Sequence, residues 1–547
     1  MIRINQVKLP VEHTTEALHK KVQELLKYKG SMDVEIVKRS LDARKKPQLF
    51  YVYMLDVTIP EKEERKLLKR CRGSQIQKVE PVKYVFPVKH YEGQKRPVIV
   101  GMGPAGLFCG YVLAKAGFRP ILLERGKCVE ERSRDVETFW KTGHLNTESN
   151  VQFGEGGAGT FSDGKLNTLI KDKYGRNKEV LRIFVKHGAP KEILYDYKPH
   201  IGTDILKKIV RSMREEILAS GGDVRFETRV TDLLIADGRI KGLVLNGQEE
   251  LLAEHVVLAL GHSARDTFSM LLKQKIVMEP KPFAIGMRVE HPQELINLSQ
   301  YGKKEAGELG NAIYKLTAET SEKRGVYTFC MCPGGFVVPA ASGPKQVVVN
   351  GMSPSNRGSR WSNSGMVVEI RPEDYSELVG QEELYLRNGE KVDADSPLAL
   401  MAFQERLEEV CWLNGGMKQT APAQRMDDFM RKKNSFDLPV SSYTPGLLAS
   451  PLHFWMPEFV TSRLREGFRY FGKVSRGFLT NEATMIGVET RTSAPVRILR
   501  DRDTYQHVTV KGLFPCGEGA GYAGGIVSAA IDGERCAEGV YNLESNK

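Results

Sequence analysis

At 547 residues the chain is too long for one hydrophobic core, and about two to four domains are expected. Charged residues at 27% and hydrophobic ones at 41% exclude a disordered or fibrous chain, and no apolar run reaches the ~20 residues of a membrane helix, so no membrane partner is expected. The formal charge of +12 is gathered near the start, where residues 1–96 carry 22 Lys and Arg against 12 Asp and Glu, leaving 58 against 56 for the rest. The eight cysteines follow no framework spacing, and Met-Ile-Arg-Ile-Asn-Gln at the start lacks an apolar signal core. Both features point to a reduced, cytoplasmic setting.

In chain order, apolar alternation predicts a strand at 2–9, a helix at 14–28 closed by Gly30, strands at 34–37 and 49–59, a charged helix at 61–70 and a strand at 76–79. That βαββαβ order predicts a ferredoxin-like N-terminal domain over 1–90, with 81–97 as its linker. Lys38, Arg39, Arg44, Lys45 and Lys46, with Phe50, Tyr51 and Tyr53, could bind RNA. The Gly-aromatic-Gly order of an RNA-recognition strand is absent, however, and a solvated basic face is favoured.

Val98-Ile-Val-Gly-Met-Gly-Pro-Ala-Gly106 then supplies a buried strand and a G-x-G-x-x-G turn, followed by a helix and the strand Ile121-Leu-Leu. Gly101 permits the tight turn, Gly103 the approach of a pyrophosphate and Gly106 close helix packing, while Pro104 and Ala105 open the helix whose N–H groups face the phosphates. Glu124, at the end of the second strand, suits a ribose diol and would repel an NADP 2′-phosphate. Arg125 beside it could suit such a phosphate only without Glu124.

Further on, Gln152-Phe-Gly-Glu-Gly-Gly-Ala-Gly-Thr-Phe-Ser-Asp-Gly-Lys-Leu166 is a glycine loop suited to lie against a flat ring. Gly156, Gly157, Gly159, Thr160 and Gly164 are its expected contacts, and Asp163 and Lys165 could tune the ring's potential. A meander is predicted from 223–231, 240–245 and 251–253, turning at Asn246-Gly247, with Val230 near the cofactor. Val256-Val-Leu-Ala-Leu-Gly-His-Ser-Ala-Arg265 closes this part, bringing Gly261 and His262 to a strand end. Residues 275–478 are read as an inserted α+β substrate domain, and 479–547 as the return of the nucleotide-binding domain first laid down by 97–274. In that return segment Gly512-Leu-Phe-Pro-Cys-Gly-Glu-Gly-Ala-Gly-Tyr-Ala-Gly-Gly-Ile526 places Gly517 and Glu518 for a ribityl chain. It also starts a helix at Gly524, Gly525 and Ile526 whose positive end faces the ring.

These segments resemble the FAD-binding domain of glutathione-reductase-like flavoproteins. Lys198-Pro-His-Ile-Gly-Thr203, Phe329-Cys-Met-Cys-Pro-Gly-Gly335, Val349-Asn-Gly-Met352 and Glu489-Thr-Arg-Thr-Ser-Ala-Pro495 are, more closely, similar to the uncharacterised bacterial FAD-dependent dehydrogenase family. The resemblance implies bound FAD, an α/β fold with a Rossmann-like parallel sheet and meander, and redox chemistry on a small molecule. No second G-x-G-x-x-G repeat is visible for NAD(P)H, which would bind only transiently as reductant. Arg491 is the candidate substrate anchor over the flavin, with an ordinary ion pair as its alternative, and His262 is either a proton donor or a satisfied strand-end residue. Cys330 and Cys332 lack the Cys-x-x-x-x-Cys spacing of disulfide reductases and any partners for a zinc site, so no metal is expected. They are read as buried structural thiols, with a redox pair as the alternative. The oligomeric state is not legible.

Overall fold

The computed structural model describes residues 1–70, 75–87, 90–380 and 382–545, and Cys71, Val88 and Lys89 lie outside them. Parallel and antiparallel sheets combine in a mixed α/β fold. No helix among the described residues is long and apolar enough to cross a membrane.

The first 80 residues form an antiparallel sheet in which Ile2–Pro10 lies between Gln48–Thr58 and Ile76–Lys78, with Asp33–Lys45 on the outer edge of Gln48–Thr58. Alternation places Ile2, Ile4 and Val7 on one face, where they bury against Leu18, Val22 and Leu26 of the helix Thr15–Leu26 and Leu67 of Glu61–Arg70. The Thr14 hydroxyl accepts from Ala17 N at 3.3 Å, satisfying a free donor of that helix. The second strand runs well past the expected 34–37, because its far end pairs with the whole of Gln48–Thr58. Its outer edge is covered in turn: Arg39 N donates to Tyr195 O at 2.8 Å, and Tyr197 N to Arg39 O at 2.9 Å.

Three strands of a five-stranded parallel sheet follow from uninterrupted apolar runs, as burial on both faces requires. Its order is Leu513–Pro515, Val256–Leu258, Val98–Val100, Ile121–Leu123 and Asp223–Arg225. The helix Pro104–Lys115 packs on it, and Ile526–Ser545 packs on that helix so closely that a Cβ on Gly533 would lie 2.1 Å from Ala105 O. The strand expected at 223–231 is in fact two. Asp223–Arg225 ends the parallel sheet, the chain breaks at Glu227, with φ +52, and Val230–Ala236 begins the meander with Arg239–Leu245 and Glu249–Leu252. At the Asn246-Gly247 turn both residues have positive φ, the requirement of a type I′ hairpin.

A seven-stranded sheet lies beyond, ordered Thr317–Glu319, Gly325–Cys332, Trp361–Ile370, Phe283–Pro292, Thr484–Glu489, Ala421–Arg425 and Leu447–Ala449. The return expected at 479 therefore comes later. Thr484–Glu489 is buried on both faces inside this sheet, and the chain goes back only through Val496–Ile498, paired with Met278–Pro280, and Leu513–Pro515.

Candidate functional site

Two glycine segments meet at the C-terminal end of the parallel sheet. Gly101, at φ +98, could carry no side chain, since a Cβ would lie 2.4 Å from Ala259 O, and one on Gly106 would lie 1.9 Å from Gly101 O. A Cβ on Gly103, by contrast, would meet only Gly157 Cα at 3.8 Å. The glycine loop folds back on this turn, with Gly156 N donating to Met102 O at 2.8 Å. Behind it the fully buried Arg132 donates to the carbonyls of Asn150, Val151 and Glu155 at 2.8, 2.9 and 2.7 Å, fixing the loop. Sequence reasoning passed over Arg132, which looks like any exposed position of a charged helix.

Between the two segments runs a groove of about 380 Å³. Glu124, Arg125 and Val230 line one end, Gly101, Gly103, Pro104 and Ala105 face Gly157 and Gly159 in the middle, and Gly524, Gly525 and Ile526 bring in the start of the last helix. Lys165, Gly261, His262, Cys330, Arg491 and Glu518 complete the expected residues that line it. Gly106, Gly156, Thr160, Asp163, Gly164, Gly517 and Cys332, also among the expected site residues, do not line it. Several are fixed by neighbours outside the groove. Thr160 O accepts from Thr203 Oγ1 at 2.6 Å, Gly517 N donates to Asp532 Oδ2 at 2.8 Å, and Gly164 packs where a Cβ would sit 2.9 Å from Gly202 N.

The charged residues are placed by specific partners. Glu124 accepts from the backbone N–H groups of Met102, Gly126 and Gly154, each at 2.9 Å, which occupies three of its roughly four acceptor positions and leaves one for a ribose hydroxyl. Arg125 is paired with Glu148 and Asp266 at 2.9 and 2.8 Å and lies over the Phe153 ring at 4.1 Å. It walls the groove and has no call for a 2′-phosphate. Asp163 is bonded through both oxygens to Arg357, at 3.0 and 2.6 Å, and lies 3.0 Å from Lys165. Burial opposes the Lys165 charge, but Asp163 with the two cysteines outweighs it and holds the ammonium above its ordinary value. His262 Nδ1 lies 3.3 Å from Glu518 Oε1.

Arg491 departs from expectation. Its Nε and Nη2 donate to the two oxygens of Glu408 at 2.9 and 2.8 Å, Nη1 to Ser263 and Ser342 at 3.0 and 2.6 Å, and Nη2 again to Gln346 at 3.2 Å. All five donors of the guanidinium are thus taken, and none is left to anchor a substrate. Glu408, on the helix Ala399–Asn414, also accepts from Arg265 through both oxygens at 2.7 and 2.8 Å. Burial works against its charge, yet Arg265 and Arg491 hold its carboxyl far below the usual range.

Several features fit FAD. Gly261 and Gly524 have open space where a Cβ would stand, and His262 Nε2, on the groove, has no hydrogen-bond partner among the described residues. The family model "FAD-dependent protein, C-terminal domain-like" matches residues 282–492, and a domain of unknown function matches residues 1–58. The fold and groove are those of an FAD-dependent flavoprotein, and FAD is the cofactor. The chain belongs to the same family as an uncharacterised protein of Clostridium beijerinckii, 43% identical over 545 residues and covering 98% of each chain. Among solved structures, glycine oxidase from Bacillus cereus is 11% identical, covering 83% of this chain and 96% of its own, at a TM-score of 0.29. L-proline dehydrogenase from P. horikoshii is 13% identical, covering 83% and 95%, at 0.31. Scores this low carry no argument about this chain.

Proposed function

We propose that this protein is an oxidoreductase that transfers a hydride between FAD and a small organic substrate. The observation that carries the reading is the change in the groove's lining. Backbone and glycine dominate around Gly101–Gly103, whereas Lys165, His262, Cys330 and Asn350 supply polar side chains at the other end. A ligand's phosphates suit the first, and chemistry needs the second. When bound, the flavin supplies the hydride acceptor or donor. Lys165 would hold a substrate oxygen or an anionic group by charge. His262, steadied by Glu518, would hold or pass the accompanying proton. The start of the helix Ile526–Ser545 would favour negative charge at the groove, typically by about 0.3–1 kcal/mol.

Nothing supports the RNA-directed alternative. Arg39 is paired through two of its guanidinium nitrogens with Asp196 at 2.8 and 3.0 Å, Arg44 likewise with Asp42 at 2.8 and 2.9 Å, and Lys38 lies over Tyr197 at 4.8 Å. These cations serve the chain's own contacts. The test is anaerobic mixing of the yellow protein with a metabolite library, NADH and NADPH included, read as loss of flavin absorbance. Bleaching by a defined hydride donor is expected; bleaching by dithionite and by no metabolite or nicotinamide would sink the proposal.

A further inference from the structure

Cys330 and Cys332 are two positions apart in the strand Gly325–Cys332, and in a regular strand such side chains share a face with their sulfurs held apart. The strand is not regular there. Its pairing with Trp361–Ile370 slips between Phe329 and Cys332, and Cys330 adopts φ +44, a left-handed conformation that costs a non-glycine residue of order 1 kcal/mol or more. The bulge folds the Cys332 side chain back over the Cys330 backbone. The Cys332 thiol donates to the Cys330 carbonyl oxygen at 3.2 Å.

Cations surround the pair. Arg288 donates to the Cys330 carbonyl and reaches Cys332 Sγ at 3.5 Å, itself held by Asn363 at 2.7 Å and Glu489 at 2.6 Å. Gly351 makes the room, since a Cβ there would lie 2.0 Å from Arg288 Nη2. On the groove side stands Lys165. The hydrogen bond from Cys332, followed by Lys165 and Arg288, holds the Cys330 thiol well below its ordinary range against the opposing effect of burial. A half-buried thiol in an electropositive pocket is the setting of a reactive cysteine, whereas buried structural thiols sit among apolar groups, as Cys411 does.

We propose that Cys330 and Cys332 are a redox-active pair at the flavin groove, cycling between thiolate–thiol and disulfide and exchanging one electron pair with FAD. In the oxidising direction the S–S bond forms, and the two electrons and the Cys332 proton pass to the flavin as a hydride equivalent; in the other direction the S–S bond breaks and both return. The inference rests on FAD occupying the groove. Its consequence is a protein that stores two electron pairs, one on the flavin and one on the sulfurs.

Two measurements separate the possible failures. Protein stripped of flavin is equilibrated in glutathione buffers of graded potential, alkylated and digested. The tryptic peptide 325–345 holds both cysteines and is expected unalkylated and lighter by two hydrogens at the oxidising end. Alkylation of both cysteines across the whole series would overturn the pair. In protein loaded with FAD, anaerobic titration with dithionite is expected to consume roughly four electrons per flavin, and roughly two in Cys330→Ser. Two electrons in the unaltered protein would overturn the exchange. A protein that holds no FAD would instead fail the earlier reading, and the peptide measurement then decides the pair by itself.

Discussion

Gly103 is the residue whose missing side chain faces the groove and not the protein, so Gly103→Val should fold normally and lose FAD affinity by at least about tenfold, or 1.4 kcal/mol. Quenching of flavin fluorescence on binding measures this, and an unchanged affinity would show that the turn is not the phosphate site. Glu155, beside it in the glycine loop, is fully buried, with Oε2 accepting from Val129 N at 2.8 Å and Arg214 at 3.1 Å and no partner for Oε1. Burial outweighs Arg214 and pushes its carboxyl up to about 7. A carboxyl whose folded value is raised binds its proton more tightly in the native state. Its stabilisation is therefore full below about pH 4.5 and lost as pH rises through about 7. Glu155→Gln should remove that part of the pH dependence, worth about 3 kcal/mol at most, in urea melts between pH 4.5 and 8. A slope unchanged by the substitution would place the titrating group elsewhere.

At the scale of elements, the helix Ala399–Asn414 is tied to the strand-end segment after Thr484–Glu489 by one carboxylate between two guanidinium groups. Glu408→Ala leaves Arg265 and Arg491 buried without their partner, and a loss of about 3–5 kcal/mol is expected in chemical denaturation. A loss under 1 kcal/mol would mean that water reaches the site and replaces the carboxylate. The tie was visible in part. An ion pair was an open reading of Arg491 from the sequence, but its partner Glu408 lies 83 residues earlier on a helix whose pattern does not single it out. Partners depend on strand order, and the order of the seven-stranded sheet follows from no local pattern. The parallel sheet is the opposite case. Val98–Val100, Ile121–Leu123 and Val256–Leu258 are apolar throughout because both their faces are covered, and glycines after the first and third mark where the groove lies. What the glycines could not reveal is their layering. Gly156 and Gly157 are neighbours in the same loop, yet only Gly157 touches the groove. The bulge at Cys330 was equally silent, since a slipped register leaves no mark on residue type.

Across the whole molecule, the N-terminal sheet lies apart from the groove, which among the described residues has no lining before Val100. The stretch after it is attached to the parallel-sheet layer: Tyr91 stacks on Phe118 with 3.9 Å between ring centres and 1° between planes, and the Tyr84 hydroxyl donates to Glu538. A chain beginning at Pro81 should therefore retain FAD at the level of the full chain. One beginning at Gly93 should melt several degrees lower, for want of both tyrosines. Equal melting temperatures would show that the two contacts add nothing. The pairing of Arg39 with the segment around Asp196 also has a consequence in time. The two residues are 157 positions apart. At about 5–20 residues per second, the ribosome delivers the second roughly 8–30 seconds after the first. During that interval the strand Asp33–Lys45 has an open edge, the feature by which nascent sheets stick to one another. Lys38, Arg39, Arg44 and Lys45 lie on that strand. With Asp33, Glu35 and Asp42 beside them, they give that edge charged side chains of both signs, the kind that discourage pairing with another chain while the edge still waits for its cover.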